Sequence, residues 1–297
     1  APPKTAPTPT ETVRVLHVVN GEHYSGAERV QDLLALALPG FGYSVGFASL
    51  KEGRFGDYRQ SVEAPLHELL MKGRWDLGVA WRLARLAREE GYQLLHAHTP
   101  RSLVVAYLAS RWTGIPLVYH VHSPASRDST RRLANWANDC LERSCLGQAS
   151  QLITVSPTLT DHMRKQGVSP DKLRCVLNGV PAADDESMVA RHRRPPMAPY
   201  VVAMVALFRP RKGAEVLLDA VATLRSREID VKIEAIGPFE TPEYEAELKQ
   251  RVARLGLLDH VHWTGFTDNV SKALAKADAL ALPSLFGEGL PMVVLEA

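Results

Sequence analysis

The chain has little cysteine, no long apolar run and no excess of either charge, and each shortage removes a class of protein. Its three cysteines, Cys140, Cys145 and Cys175, have neither an even count nor a metal-ligand spacing. A disulfide framework is therefore not encoded, and a reducing, cytoplasmic compartment is expected. No apolar stretch approaches the roughly 18 residues that a membrane span requires. Lys plus Arg total 35 against 33 for Asp plus Glu, a balance that leaves no electrostatic footprint for nucleic acid or another acidic polymer. Residues 1–11 (APPKTAPTPTE) are rich in Pro and Thr and lack an apolar core, so they read as a disordered tail and not as a signal peptide.

What is present is enough apolar residue, 45% of 297, for two domains with separate cores. Val13 to Val19 (VRVLHVV) reads as a strand buried on both faces. It is followed by a glycine-containing loop and by a helix from Ala27 onward. A strand, a loop and a helix N-terminus make a candidate anion site, because the first backbone N–H groups are unpaired and the helix dipole favours negative charge. Further strands are expected at Ser44–Leu50, Pro65–Leu70, Gln93–Thr99, Leu117–Ser123, Gln151–Val155 and Leu173–Leu177. Helical patterns cover Trp75–Glu90 and Asp128–Gln148. The second carries Arg127, Arg131 and Arg132 at its start, read as a solvated basic face. Two pairs of histidines, His96 with His98 and His120 with His122, lie two residues apart and so share a strand face. They invite a metal assignment, but no carboxylate motif supplies a third ligand, and neutral core or cleft histidines are the reading taken.

Residues 182–199 are charged, contain several prolines and have no apolar period, as expected of a linker. The resulting division is a tail at 1–11, a first domain at 12–181, the linker, and a second domain at 200–297. In the second domain, strands are expected at Tyr200–Leu207, Val231–Ile236, His260–Trp263 and Ala277–Pro283. A basic loop, Arg209–Gly213, precedes a helix at Ala214–Arg225, and a second helix covers Tyr244–Leu255. Strands alternating with helices predict a doubly wound parallel sheet in each half. Glu288 and Glu296, with seven residues between them, fall at the last strand-to-helix turn. Pro291 suits a first helical position there, with Glu296 near the beginning of the helix. In open α/β sheets ligands collect at the carboxyl ends of strands, and two fixed carboxylates suit the vicinal hydroxyls of a sugar.

The segment SLFGEGLPMVVLEA resembles the E-x7-E signature of retaining GT-B glycosyltransferases, in particular family 4, the glycosyl transferases group 1. HVVNGEHYSGAERV, LLHAHTPRS, VYHVHS, ITVSPTLTDHM, VLNGV and RPRKGAEVLLDAV resemble the same family in the same order, so the resemblance covers Val13 to Ala297. It implies an α/β GT-B architecture, two Rossmann-like doubly wound domains facing a cleft. The implied reaction moves a sugar, with retention, from a nucleoside-diphosphate sugar to a hydroxyl of a glycan, lipid or small molecule. No cofactor or metal is expected, and the donor is a UDP- or GDP-sugar. Peripheral contact with the cytoplasmic membrane face is compatible with this. Family members run on past this sequence and return a final helix to the first domain, which implies a C-terminally truncated chain with an incomplete second domain.

The resemblance also implies roles. His122, Lys212 and Glu288 become the catalytic group, with Lys212 neutralising the diphosphate in place of a metal. Gly26 lies against the diphosphate, Gly289 and Leu290 belong to the donor loop, Glu296 holds the ribose, and His98 forms an acceptor-side wall. One position departs from the family pattern, because Leu207 stands where family members carry a phosphate-binding Arg. Arg209 is the expected replacement, since residues i and i+2 of an extended segment project to one side. Arg211 shares that parity across the turn begun by Pro210. A sugar-nucleotide epimerase of the same architecture and a non-catalytic nucleotide-sugar-binding protein are the alternatives.

Overall fold

The structure is a computed structural model and describes residues 12–73, 76–124, 140, 142–182 and 199–297. The tail, Trp75, Trp136, the basic segment of Arg127, Arg131 and Arg132, and all but the edges of the linker lie outside those residues. The chain divides into two compact units, Ala1–Asn178 and Gly179–Ala297. The expected first boundary at 181 falls three residues past that division.

The first unit runs β1 (Val13–Val19), α1 (Gly26–Ala37), β2 (Tyr43–Ser49), α2 (Arg54–Tyr58), β3 (Leu66–Glu68), α3 (Gly78–Glu89), β4 (Leu94–Ala97), α4 (Pro100–Thr113), β5 (Leu117–Val121), β6 (Gln151–Thr154), α5 (Pro157–Lys165) and β7 (Leu173–Cys175). Its seven-stranded sheet has the order β3-β2-β1-β4-β5-β6-β7, and every pairing is parallel. The central strands are sealed on both faces, with Leu16, Val18, Phe47, Leu95 and Leu152 fully buried, as their near-continuous apolar runs require. Asp32 is one of three buried polar side chains on α1, with Glu28 and Gln31. It is 1% exposed and accepts from Tyr24 Oη, from the backbone N–H groups of Gln60 and Ser61, and from Ser61 Oγ. This carboxylate ties α1 to the loop that follows α2.

The second unit runs β8 (Tyr200–Val205), α6 (Ala214–Arg225), β9 (Val231–Ile236), α7 (Pro242–Arg254), β10 (Val261–Gly265), α8 (Val270–Leu274), β11 (Ala279–Leu280) and α9 (Met292–Glu296). Its sheet order is β10-β9-β8-β11, again parallel. Phe208, Leu217, Leu218, Val221, Ile233, Tyr244 and Leu248 form its core. Among the described residues no helix is long and apolar enough to cross a membrane.

Several sequence expectations are corrected. The helix expected from Trp75 begins at Gly78. The strand expected over Pro65–Leu70 shrinks to three residues at the sheet edge. Ala277–Pro283 reduces to the two-residue β11, which is partly exposed and, among the described residues, pairs with β8 alone. The strand expected from His260 starts at Val261, because Leu258–His260 close a 3-10 turn. Helix α4 has no counterpart in the sequence expectations, although its stop and start signals are explicit. Thr99 caps the Ser102 N–H, Pro100 holds the first turn, and Gly114 adopts φ 77° at the end, as helix termini favour.

Candidate active site

Doubly wound sheets bind ligands where the strand order reverses, at the carboxyl ends of the strands flanking the reversal. In the first unit that point lies between β1 and β4, and in the second between β8 and β11. The residues expected to carry the chemistry gather at these two places.

In the second unit, the segment after β8 and the segment after β11 are laced together. Leu285 N–H donates to Arg211 O at 2.9 Å. Gly213 adopts φ +68°, and a Cβ there would stand 2.2 Å from Pro283 O, so only glycine permits the approach. The contact brings Lys212 Nζ to Glu288 Oε1 at 2.5 Å, and Ser284 Oγ donates to the same oxygen at 2.8 Å. Arg211 stands 3.6 Å from that oxygen and points Nη1 at the carbonyls of Phe286 and Gly287. Burial raises the Glu288 pKa, but the charge and hydrogen bond of Lys212 outweigh it and leave the carboxyl below its ordinary value. Burial lowers the pKa of Lys212, and the facing Glu288 opposes that shift. The twelve-residue helix α6 begins immediately after Gly213, so two cationic side chains stand beside a helix N-terminus. That combination suits a phosphate-bearing ligand.

Arg209 departs from its expected course. Its own backbone is extended, so its parity with Leu207 stands, and the 3-10 turn at Pro210–Lys212 breaks that parity only for the residues that follow. Its guanidinium pairs with Glu240 at 3.2 Å, whereas Arg211, 8% exposed, reaches the Glu288 loop. Gly289 and Leu290 are half-buried in the turn ahead of α9. Pro291 occupies the N-cap, and Glu296 is the fifth residue of α9, one turn into the helix.

In the first unit, Gly26 opens α1 after the β1 loop. Part of the positive field at that helix end is already occupied, because Glu28 accepts from the backbone N–H and the hydroxyl of Ser25. The carboxyl ends of β1, β4 and β5 carry five histidines packed ring against ring. His98 joins His122 through Nδ1 and Nε2 at 3.1 Å, and joins His17 through its own Nε2 and His17 Nδ1 at 3.0 Å. His120 and His122 stack with centroids 4.3 Å apart, and His96 and His98 meet at a tilt with centroids 4.2 Å apart. Burial pushes all five pKa values down, His17 to about 3 and His120 to about 4. His98 is 3% exposed. It therefore backs the site and does not form the acceptor-side wall expected of it, while His122 is half-buried and reachable. His17 is absent from the sequence expectations. Its signal is a single polar side chain inside the apolar run VRVLHVV, and its register partner on β4 is His96.

The chain matches the Glycosyltransferase Family 4 description over residues 24–184 and the Glycosyl transferases group 1 description over residues 189–297. A D-inositol 3-phosphate glycosyltransferase of Jonesia denitrificans is 29% identical over 71% of this chain and 54% of that protein. One of Salinispora arenicola is 31% identical over 72% and 53%. The chain thus spans about half the length of these relatives. An Escherichia coli UDP-Gal:alpha-D-GlcNAc-diphosphoundecaprenol alpha-1,3-galactosyltransferase is 24% identical over 96% of the chain and 76% of that protein. Among solved structures, Anabaena Alr3699/HepE in complex with UDP and glucose aligns with TM-score 0.78 at 22% identity, covering 96% of this chain and 78% of that one. The likeness confirms a GT-B architecture for the fold.

Proposed function

Because the chain belongs to Glycosyltransferase Family 4, we propose that it transfers a glycosyl group from a nucleoside-diphosphate sugar, UDP-linked, to a hydroxyl acceptor with retention of anomeric configuration. The observation that carries the donor half of this reading is the Arg211, Lys212 and Glu288 cluster at the second switch point, beside the N-terminus of α6. UDP is favoured over other nucleotides because the Escherichia coli relative is named for a UDP-Gal donor and HepE was solved with UDP-glucose.

In the reaction, the acceptor oxygen bonds to the anomeric carbon as the bond from that carbon to the β-phosphate oxygen breaks. The acceptor proton passes to the departing phosphate oxygen. Charge builds on the leaving diphosphate, and preorganised cations stabilise it without reorganisation during the step. Lys212 and Arg211 take that role, supported by the N-terminal dipole of α6. Glu288 is assigned to the hydroxyls of the donor sugar and Glu296 to the ribose, where a carboxylate can accept from vicinal hydroxyls. His122, neutral and half-buried, is assigned to the donor sugar and β-phosphate. Arg209 is assigned to support of the basic loop through Glu240, not to direct phosphate contact.

The test is a thermal-shift panel of UDP, GDP and ADP with their sugars, followed by product analysis with the preferred donor. A rise with UDP and UDP-sugars and an α-glycoside from an α-linked donor are expected. A free epimer of the donor sugar would replace this reading with an epimerase. Tight UDP binding with neither donor hydrolysis nor transfer would replace it with a binding protein.

A further inference from the structure

We propose that His98, His120 and His122 form a site for one divalent transition ion of the zinc type, with an open coordination position. The proposal rests on the packing of the rings and not on the donor role assigned to His122, a residue that the two readings share. One candidate nitrogen from each of the three rings lies within 4.8 Å of the others. His98 Nδ1 and His122 Nε2 are 3.1 Å apart. Four-coordinate zinc with Zn–N bonds of about 2.0–2.1 Å sets its ligand nitrogens roughly 3.3 Å apart, so that pair already spans a tetrahedral edge.

The third ring supplies an independent observation. His120 is 5% exposed, and neither of its ring nitrogens has a hydrogen-bond partner. A buried polar ring with both nitrogens unsatisfied is costly and calls for a ligand.

The surroundings supply what metal-binding histidines require of their outer partners. A ligating imidazole is usually fixed by a hydrogen bond from its second nitrogen. His98 Nε2 lies 3.0 Å from His17 Nδ1. With the proton on His98 Nε2, the Nδ1 lone pair is directed toward His122. His17 is therefore a positioning residue for the site. An all-imidazole donor set selects zinc, cobalt, nickel or copper over magnesium or calcium. Such an ion differs from the magnesium that assists diphosphate departure in other enzymes. His122 is half-buried, which leaves the fourth position open to water or a ligand oxygen.

The experiment titrates tag-free, chelator-stripped protein with Co2+ alone and follows visible d–d absorption, then displaces the cobalt with Zn2+. One equivalent per chain is expected, with the band intensity of a four-coordinate ion. His120→Gln and His122→Gln should each weaken Co2+ binding at least about 100-fold. His17→Gln should weaken it about 10- to 100-fold, and His262→Gln, an exposed pair with Glu234 in the second unit, should leave it unchanged. If circular dichroism shows that His120→Gln does not fold, the half-buried His122 variant decides. Absence of stoichiometric absorption in the folded parent overturns the proposal, and so does unchanged affinity in a folded His122→Gln variant.

Discussion

Replacing Glu288 by Gln should separate nucleotide binding from transfer. Glu288 Oε1 lies 2.5 Å from Lys212 Nζ and 3.6 Å from the Arg211 guanidinium. An arriving diphosphate competes with this carboxylate for the same two cations. A charge-assisted hydrogen bond contributes about 1.5–3 kcal/mol when fully formed. Lys212 can keep part of it while turning to a phosphate, and screening at a partly open site lowers it further, so about 1 kcal/mol is released. Glutamine keeps the shape and can still accept from Ser284, but it surrenders the charge. UDP affinity in Glu288→Gln should therefore rise roughly fivefold, uridine affinity should stay within about twofold, and transfer should fall at least about tenfold because the donor-sugar contact is weakened. Isothermal titration with UDP and uridine, alongside turnover of UDP-sugar, measures all three. Weaker UDP binding in the variant, or an equal change for uridine, would refute the reasoning, because either result means that Glu288 does not compete with phosphate for Lys212.

Lys212→Ala should weaken UDP at least about tenfold and leave uridine alone, whereas Glu296→Ala should weaken both about equally; calorimetry with the two ligands separates a phosphate contact from a ribose contact. Arg211→Ala should cost more UDP affinity than Arg209→Ala, since Arg211 lies 3.6 Å from Glu288 whereas Arg209 pairs with Glu240; the reverse order in the same assay would restore Arg209 to the phosphate site. Asp32→Ala removes a buried acceptor of four hydrogen bonds and should destabilise the first unit by about 3 kcal/mol, read from urea unfolding of the chain. The five clustered histidines have folded pKa values below 6.5, so the unfolded chain takes up protons first; their contribution is complete above pH 6.5 and is lost as pH falls, toward about 4 for His120 and about 3 for His17. At pH 5.5 His17 and His120 each cost about 1.4 kcal/mol. Hydrogen exchange of metal-stripped protein, corrected for intrinsic rates, should therefore show β1, β4 and β5 losing protection between pH 6.5 and 5 before β8 and β9 do; simultaneous loss in both units would contradict this.

The architecture was legible because its signals are periodic and local. VRVLHVV is a strand buried over its last five residues, YVVAMVAL forms a strand as expected although only Ala203 and Met204 of it are buried, and the helix expected at Ala214–Arg225 matches the observed bounds. Elements at sheet edges were less legible. β3 and β11 pair on one side only, and their lengths are set by a neighbour that no local pattern names. The short α9 begins one residue later than expected because Pro291, at ψ 125°, caps the helix instead of joining it. Helix α4 was legible in principle, through Thr99, Pro100 and Gly114.

The candidate site divides along the same line. Lys212 and Glu288 could be named from sequence, but 76 residues separate them. Their contact depends on Gly213 admitting the Pro283 carbonyl. Strand parity favours Arg209 and Arg211 alike, and Arg209 is the expected replacement because it precedes the turn begun by Pro210. The 3-10 turn at Pro210–Lys212 rotates the next residues, so Arg211 inherits the position that Arg209 would have held. The histidines follow the same logic in reverse. Each His-x-His pair looked incomplete as a ligand set because a third group was sought nearby in sequence. The third group comes from the adjacent strand: β4 and β5 pair in parallel, so the residues following them stand side by side, and His98 meets His120 and His122. In a parallel sheet, side chains at the carboxyl ends of neighbouring strands converge whatever the length of the crossover between them. Residues there are therefore best compared across strands by register before any of them is assigned a role alone.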